Sequence, residues 1–157
     1  MVNTVGKNCS EADRAYIAGF LDADGAIMAH IERNNEMIHR FRVRVSIALY
    51  QSQDSVLEWI YKKLETGSVT KDRALYKWKT TDQKSVQAVL TAVEPFLQVK
   101  KKQAELALTI LDSSISSKRK LLYIATLADA LCSLNVRSQN SGMKNVTMIK
   151  EYFSCND

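Results

Sequence analysis

The sequence predicts an α+β fold in which a four-stranded antiparallel sheet carries helices on one face only. Two observations lead there. Segments 26–34, 41–50 and 67–80 alternate apolar and polar residues with the two-residue period of half-buried strands, while the segments between them place apolar residues three and four apart, as helices do. The polar parity of the strands is rich in arginine and lysine, so one sheet face is left for solvent or a charged partner while the other is covered. The order that results is αββαββα, occurring once and followed by further apolar helices.

The first helix is expected over 11–22, where Ala12, Ala15, Tyr16, Ala18, Gly19 and Phe20 recur at helical spacing behind Ser10 as N-cap and acidic Glu11 and Asp13. Gly25 is its expected stop. In 26–34 Ile27, Ala29 and Ile31 face one side, against Met28, His30, Glu32 and Asn34. After a polar loop over 35–39, Phe41, Val43, Val45, Ile47 and Leu49 point inward, and Arg42, Arg44, Ser46, Ala48 and Tyr50 outward. Ser52 is the expected cap of a helix to about Glu65, with Val56, Leu57, Ile60, Tyr61 and Leu64 as its apolar stripe.

Two strands around the turn Asp72-Arg73-Ala74 then set Ser68, Thr70, Leu75, Lys77 and Lys79 opposite Val69, Tyr76 and Trp78. A helix from Asp82 must end before Pro95, which lacks the helical N–H donor. Helices over 100–113 and 119–134 complete the core, and the Ser/Asn/Gly stretch NVRSQNSG leads to a short terminal helix. The chain is read as one domain over 1–157, with its core over 11–134 and a tail over 135–157.

Composition narrows the function classes. With 157 residues and 46% hydrophobic content the chain can bury a real core. No apolar run reaches the roughly 18 residues of a membrane span, and MVNTVGKNCSEAD resembles no signal peptide, so an intracellular protein without a membrane partner is expected. Cys9, Cys132 and Cys155 are odd in number and lack zinc-site spacing, and His30 and His39 are too few for a histidine site, so any metal must be held by oxygen. The net charge of +5 decides little by itself. Its distribution matters more, because the cations gather on strands.

The segment Tyr16-Ile17-Ala18-Gly19-Phe20-Leu21-Asp22-Ala23-Asp24-Gly25 holds Gly19 and Ala23 four apart on one helical face, where small residues let a second helix approach closely. Taken alone, Asp22 and Asp24 could simply end a helix. The segment resembles the motif of single-motif LAGLIDADG homing endonucleases of the I-CreI-like subfamily. The similarity continues through SIALYQSQ, EWIYKKL and EPFLQVKKKQA in the same order and spacing, and covers most of the chain to about Leu134.

The resemblance implies a saddle-shaped sheet and a homodimer, since each chain carries one motif; Tyr16, Gly19 and Ala23 then lie in the dimer interface. It implies a Mg²⁺-dependent hydrolysis of phosphodiesters in double-stranded DNA, on a long pseudo-palindromic target, leaving short 3′ overhangs. Mn²⁺ is expected to substitute, and Ca²⁺ to bind without supporting cleavage. No small-molecule substrate is implied. Asp24 matches the metal-binding catalytic carboxylate, and Ala23 the residue lending its main-chain carbonyl to the same metal. Gln53 matches a polar residue that orients water, and Lys100 a basic residue near the scissile phosphate.

Read without the family, Gln53 is a helix-start side chain, and Lys100 to Lys102 a solvated helix beginning. One position departs from the pattern: Leu57 stands where these enzymes carry an arginine.

A two-stranded ribbon fits the major groove of DNA, where arginine suits guanine, Asn or Gln adenine, and Glu cytosine. The candidate readers are Met28, His30, Glu32, Asn34, Arg40, Arg42, Arg44, Ser46, Tyr50, Ser68, Thr70, Arg73, Lys77 and Lys79. Lys102, Arg137, Ser138, Gln139, Asn140 and Lys144 are candidates for further DNA contacts, the last five from the tail. A solvated sheet face is the competing explanation for the strands. Two other functions stay open: a DNA- or RNA-binding protein without cleavage, such as an intron maturase, and an interaction domain for an acidic partner. The resemblance points to a chloroplast or mitochondrion as the compartment.

Overall fold

The computed structural model describes residues 5–135 and 143–156. Its elements are α1 (Glu11–Asp24), β1 (Gly25–Arg33), β2 (Phe41–Gln51), α2 (Ser55–Leu64), β3 (Ser68–Asp72), β4 (Leu75–Thr80), α3 (Gln83–Val93), a 3-10 turn at Glu94–Phe96, α4 (Lys101–Leu111), α5 (Lys118–Leu134) and α6 (Asn145–Asn156). The expected αββαββα order is present. Neighbouring strands are antiparallel in the order β1-β2-β4-β3.

The alternation of β1 is realised directly. Ile27, Ala29 and Ile31 are buried, whereas His30 and Glu32 are exposed. The inward side chains of β1 and β2 join Trp78 of β4 and the apolar stripes of the helices in one core. Its cohesion comes from removing apolar surface from water, on the order of 1.5–3 kcal/mol for each fully buried large side chain. Trp78 is also satisfied as a polar group, its Nε1 donating to the carbonyl of Thr66 at 3.0 Å. Its ring lies so close to Gly67 (φ +85°) that a Cβ there would sit 2.7 Å from the indole.

Three expectations are corrected. Ser46 and Ala48, in the outward register of β2, are buried, Ser46 at 4% exposure. Ala48 lies between the side chains of β1 and β4, and Ser46 pairs with Met28. Short side chains on a central strand are covered by longer neighbours, and period alone cannot reveal that. Second, Ser52 does not cap α2. The residue before the helix is Asp54, without a side-chain cap, while the Ser52 N–H and hydroxyl both donate to Gln51 Oε1, at 2.7 and 3.1 Å. Third, α1 runs to Asp24 rather than Asp22, so both acidic residues of the motif belong to its last turn.

β4 pairs with β2 only from Ile47 to Gln51, leaving the earlier part of that edge without a strand. Gln83 fills part of the gap: its Oε1 accepts from the Val45 N–H and its Nε2 donates to the Val45 carbonyl, both at 2.9 Å. A side-chain amide thereby replaces one residue of a strand.

Candidate active site

The site is built at the C-terminal end of α1. A capping box fixes the start of the helix: Ser10 Oγ accepts from the Asp13 N–H at 3.1 Å, and Asp13 Oδ2 from the Ser10 N–H at 2.9 Å. At the other end Gly25 has an ordinary extended backbone (φ −110°), so space rather than angle demands glycine. A Cβ there would lie 2.4 Å from Leu21 Cδ1 and 2.8 Å from Leu49 Cδ2. Helix end and sheet are pressed together at this point, and Asp24 is the residue just before it.

Asp24 and Ala23 are exposed, and Asp24 has no hydrogen bond or ion pair among the described residues. The last turn contains no basic residue. A carboxylate at the negative end of a helix is disfavoured by about 0.3–1 kcal/mol, so this one does nothing for the fold. The final carbonyls of a helix also lack intrahelical donors. That of Leu21 accepts from the Gly25 N–H, and that of Asp22 from Lys100 Nζ at 2.5 Å.

Asp22 behaves in the opposite way. Its carboxylate accepts from the backbone N–H groups of Gln98 (2.8 Å), Val99 (3.2 Å) and Lys100 (2.9 Å). Burial pushes its pKa up. The three amides and the Lys100 charge outweigh that and hold the carboxyl below its usual range. Sequence reasoning missed this role, because the partners lie 76 to 78 residues away.

The structure thus brings Lys100 to the end of α1, two residues from Asp24. Gln53 also lies at this end. Gly25 pairs with Leu49, so the chain leaving β2 at Gln51 starts beside the end of α1, and Gln53 lies exposed in the connection that follows. Leu57 is different: fully buried on α2, it belongs to the core.

No group of three or more His, Cys, Asp or Glu residues suited to a metal ion occurs among the described residues. The donors present, an exposed carboxylate and main-chain carbonyls, are hard oxygens of the kind Mg²⁺ accepts when water and substrate phosphates complete its shell. On donor chemistry the site fits that ion.

The outward sheet face extends from this end. Across its strands lie Glu32 beside Arg42, His30 beside Arg44, Met28 beside Ser46, and then the rows Ala48, Lys79, Ser68 and Tyr50, Lys77, Thr70. Glu32 binds the Arg42 guanidinium and lies 3.8 Å from Arg44 Nε. The hydrogen bond from Arg42, with the neighbouring positive charges, holds its carboxyl below the usual range against slight desolvation. Lys77 pairs with Asp72 at 3.0 Å, whereas Lys79 has no ion pair among the described residues.

Several candidate readers have local duties. Asn34 Oδ1 accepts from the Glu36 N–H at 3.0 Å, and Arg40, at φ 62°, donates to the Asn35 carbonyl at 2.6 Å, both within the β1–β2 connection. Arg73, at φ 58°, forms the β3–β4 turn. The Ser46 hydroxyl, on a further candidate reader, is enclosed and without a partner among the described residues.

On the other side of α1, Tyr16 is 54% exposed and Gly19 has nothing within 4 Å of a Cβ position. Tyr16 stacks edge-on against Trp59 at 5.4 Å, beside a groove of about 470 Å³ lined by Ala12, Val56 and Ser55. Lys102 and Lys144 are exposed, whereas Arg137, Ser138, Gln139 and Asn140 lie outside the described residues.

A helix that ends in an exposed aspartate beside a tethered lysine, with a basic antiparallel sheet, defines a class. The family described as LAGLIDADG endonuclease matches residues 17–111, and the chain belongs to it. It is 33% identical to DNA endonuclease I-CreI of Chlamydomonas reinhardtii over 127 residues, 76% of this chain and 77% of that one. It is 35% identical to DNA endonuclease I-CvuI of Chlorella vulgaris over 120 residues, 73% and 74% of the two chains. A crystal structure of I-CvuI with the I-CreI target, its DNA not cleaved in 2 mM Mg, superposes with a TM-score of 0.82 at 29% identity. That match covers 92% of this chain and 94% of I-CvuI. The α+β sheet and helices described above are the fold of this family.

Proposed function

We propose that the chain is one subunit of a homodimeric homing endonuclease that cuts both strands of a long, pseudo-palindromic DNA site with Mg²⁺. The observation that carries the reading is the exposed Asp24 carboxylate, without a partner among the described residues, at a helix end where it costs stability, with Lys100 tethered two residues away. Dimerisation through Tyr16, Gly19 and Ala23 would bring a second motif helix, and so a second Asp24, alongside the first. Two-fold symmetry of the protein then asks for approximate two-fold symmetry of the target.

Asp24 and the Ala23 carbonyl are the groups that would hold the ion. Mg²⁺, when bound, supplies concentrated positive charge beside the scissile phosphate. Gln53, with a donor and an acceptor at its amide, can orient the attacking water by hydrogen bonds. Lys100 has three N–H donors, of which Asp22 takes one, and the others can serve phosphate oxygens as negative charge grows there. Arg42 and Arg44, held beside Glu32, and Lys79 are the base- and phosphate-directed groups of the sheet.

Binding without cleavage, the maturase-like alternative, draws on one observation: Leu57 is core, so the arginine of related enzymes has no replacement at that position. Incubating the protein with a randomised duplex library in Mg²⁺ and sequencing the ends tests the choice. One long, nearly symmetric site with short 3′ overhangs is the expected product. Sedimentation of the free protein reports the dimer.

A further inference from the structure

We propose that Asp22 is a positioning residue for Lys100, setting the lysine against Asp24 before any DNA arrives. The inference rests on the nuclease reading above and adds a residue to it. Three consecutive backbone amides, Gln98, Val99 and Lys100, converge on the Asp22 carboxylate, and the Lys100 ammonium returns to the Asp22 main-chain carbonyl at 2.5 Å. Lys100 is therefore fixed at both its backbone and its side-chain end to a single residue. That residue is in the last helical turn with Asp24, so the lysine and the carboxylate share one rigid support. A group held this way needs no reorganisation when phosphate charge develops, and small misplacements of such groups are costly.

A carboxylate suits the task better than an amide. Both of its oxygens accept, and Oδ2 takes two of the three amides while Oδ1 takes the third. In Asp22→Asn one of those oxygens becomes a donor facing a donor. The loop over 98–100 then loosens, and Lys100 Nζ loses its fixed distance from Asp24. Nothing in this role needs Asp22 to touch DNA or metal.

The test is a double-mutant cycle on the full-length protein, with single-turnover cleavage in Mg²⁺ and duplex binding in Ca²⁺ measured for wild type, Asp22→Asn, Lys100→Met and the double variant. Asp22→Asn should slow cleavage about 10- to 100-fold with binding retained, and that effect should largely vanish when Lys100 is already Met. A full-sized loss in the Lys100→Met background, or none in wild type, overturns the proposal. A second readout needs neither DNA nor metal: acetylation of Lys100, followed by peptide mass spectrometry, should be slow in wild type and faster in Asp22→Asn. Equal labelling overturns the proposal whatever the cleavage result. A wild type that cuts nothing while Lys100 labelling still responds to Asp22→Asn would sink the nuclease reading alone.

Discussion

Lys100 is bonded twice to Asp22, through its backbone N–H to the carboxylate at 2.9 Å and through Nζ to the main-chain carbonyl at 2.5 Å. The two acidic residues of the motif thus differ in their partners. Asp22 is saturated with protein donors, whereas Asp24, two residues on, has none among the described residues.

The junction that holds Asp24 depends on Gly25 having no side chain. Gly25→Ala would push a methyl into Leu21 and Leu49, and overpacking of this kind costs about 1–3 kcal/mol. Urea denaturation should register the loss, and cleavage should fall with it, because the end of α1 must shift.

Leu57, where the resemblance leads one to expect an arginine, is fully buried. Its truncation in Leu57→Ala should cost about 2–5 kcal/mol, as core leucines do. An unchanged midpoint in chemical denaturation would mean that the side chain points elsewhere and that the register of α2 needs revision.

Asp82 caps α3, its Oδ2 accepting from the Ser85 N–H at 2.9 Å and the Ser85 hydroxyl at 2.8 Å. These bonds, the backbone one first, hold its carboxyl below the ordinary range against slight desolvation. Asp82→Ala should lower stability by about 0.5–2 kcal/mol at neutral pH. A depressed carboxyl stabilises above its unfolded pKa, and the contribution is lost as pH falls through the folded value. The gap between wild type and variant, measured by denaturation across acid pH, should therefore shrink as the solution is acidified.

Glu32 holds Arg42 and approaches Arg44 on the exposed sheet face. Exposed pairs contribute little to stability, so Glu32→Gln should leave the denaturation midpoint nearly unchanged. Its effect should appear in recognition. Profiling cleaved sequences from a randomised library should show relaxed preference at the base pairs facing these arginines, and an unaltered profile would remove Glu32 from the reading surface.

The strands and the covered face were legible because a two-residue period is a local property: Ile27, Ala29 and Ile31 announce their side without reference to the rest of the chain. Ser46 and Ala48 carry the same outward signal and are buried nonetheless, since burial on a central strand is decided by neighbours on β1 and β4. Ser52 looked like a cap from composition, but adjacent Gln51 captured its donors. In the candidate site, Asp24 is singled out by the resemblance of the motif, and the structure shows it exposed at the end of α1. The work of Asp22 and Gln83 was hidden, because each acts on backbone far away in sequence, and no local pattern encodes a partner 38 or more residues distant.

Asp24→Asn removes the carboxylate on which phosphodiester hydrolysis is proposed to depend. Cleavage in Mg²⁺ should disappear while duplex binding in Ca²⁺ persists, and the variant should be no less stable, gaining about 0.3–1 kcal/mol from the charge removed at the negative helix end. A variant that cuts the same site at the wild-type rate would move the catalytic centre away from this end of α1.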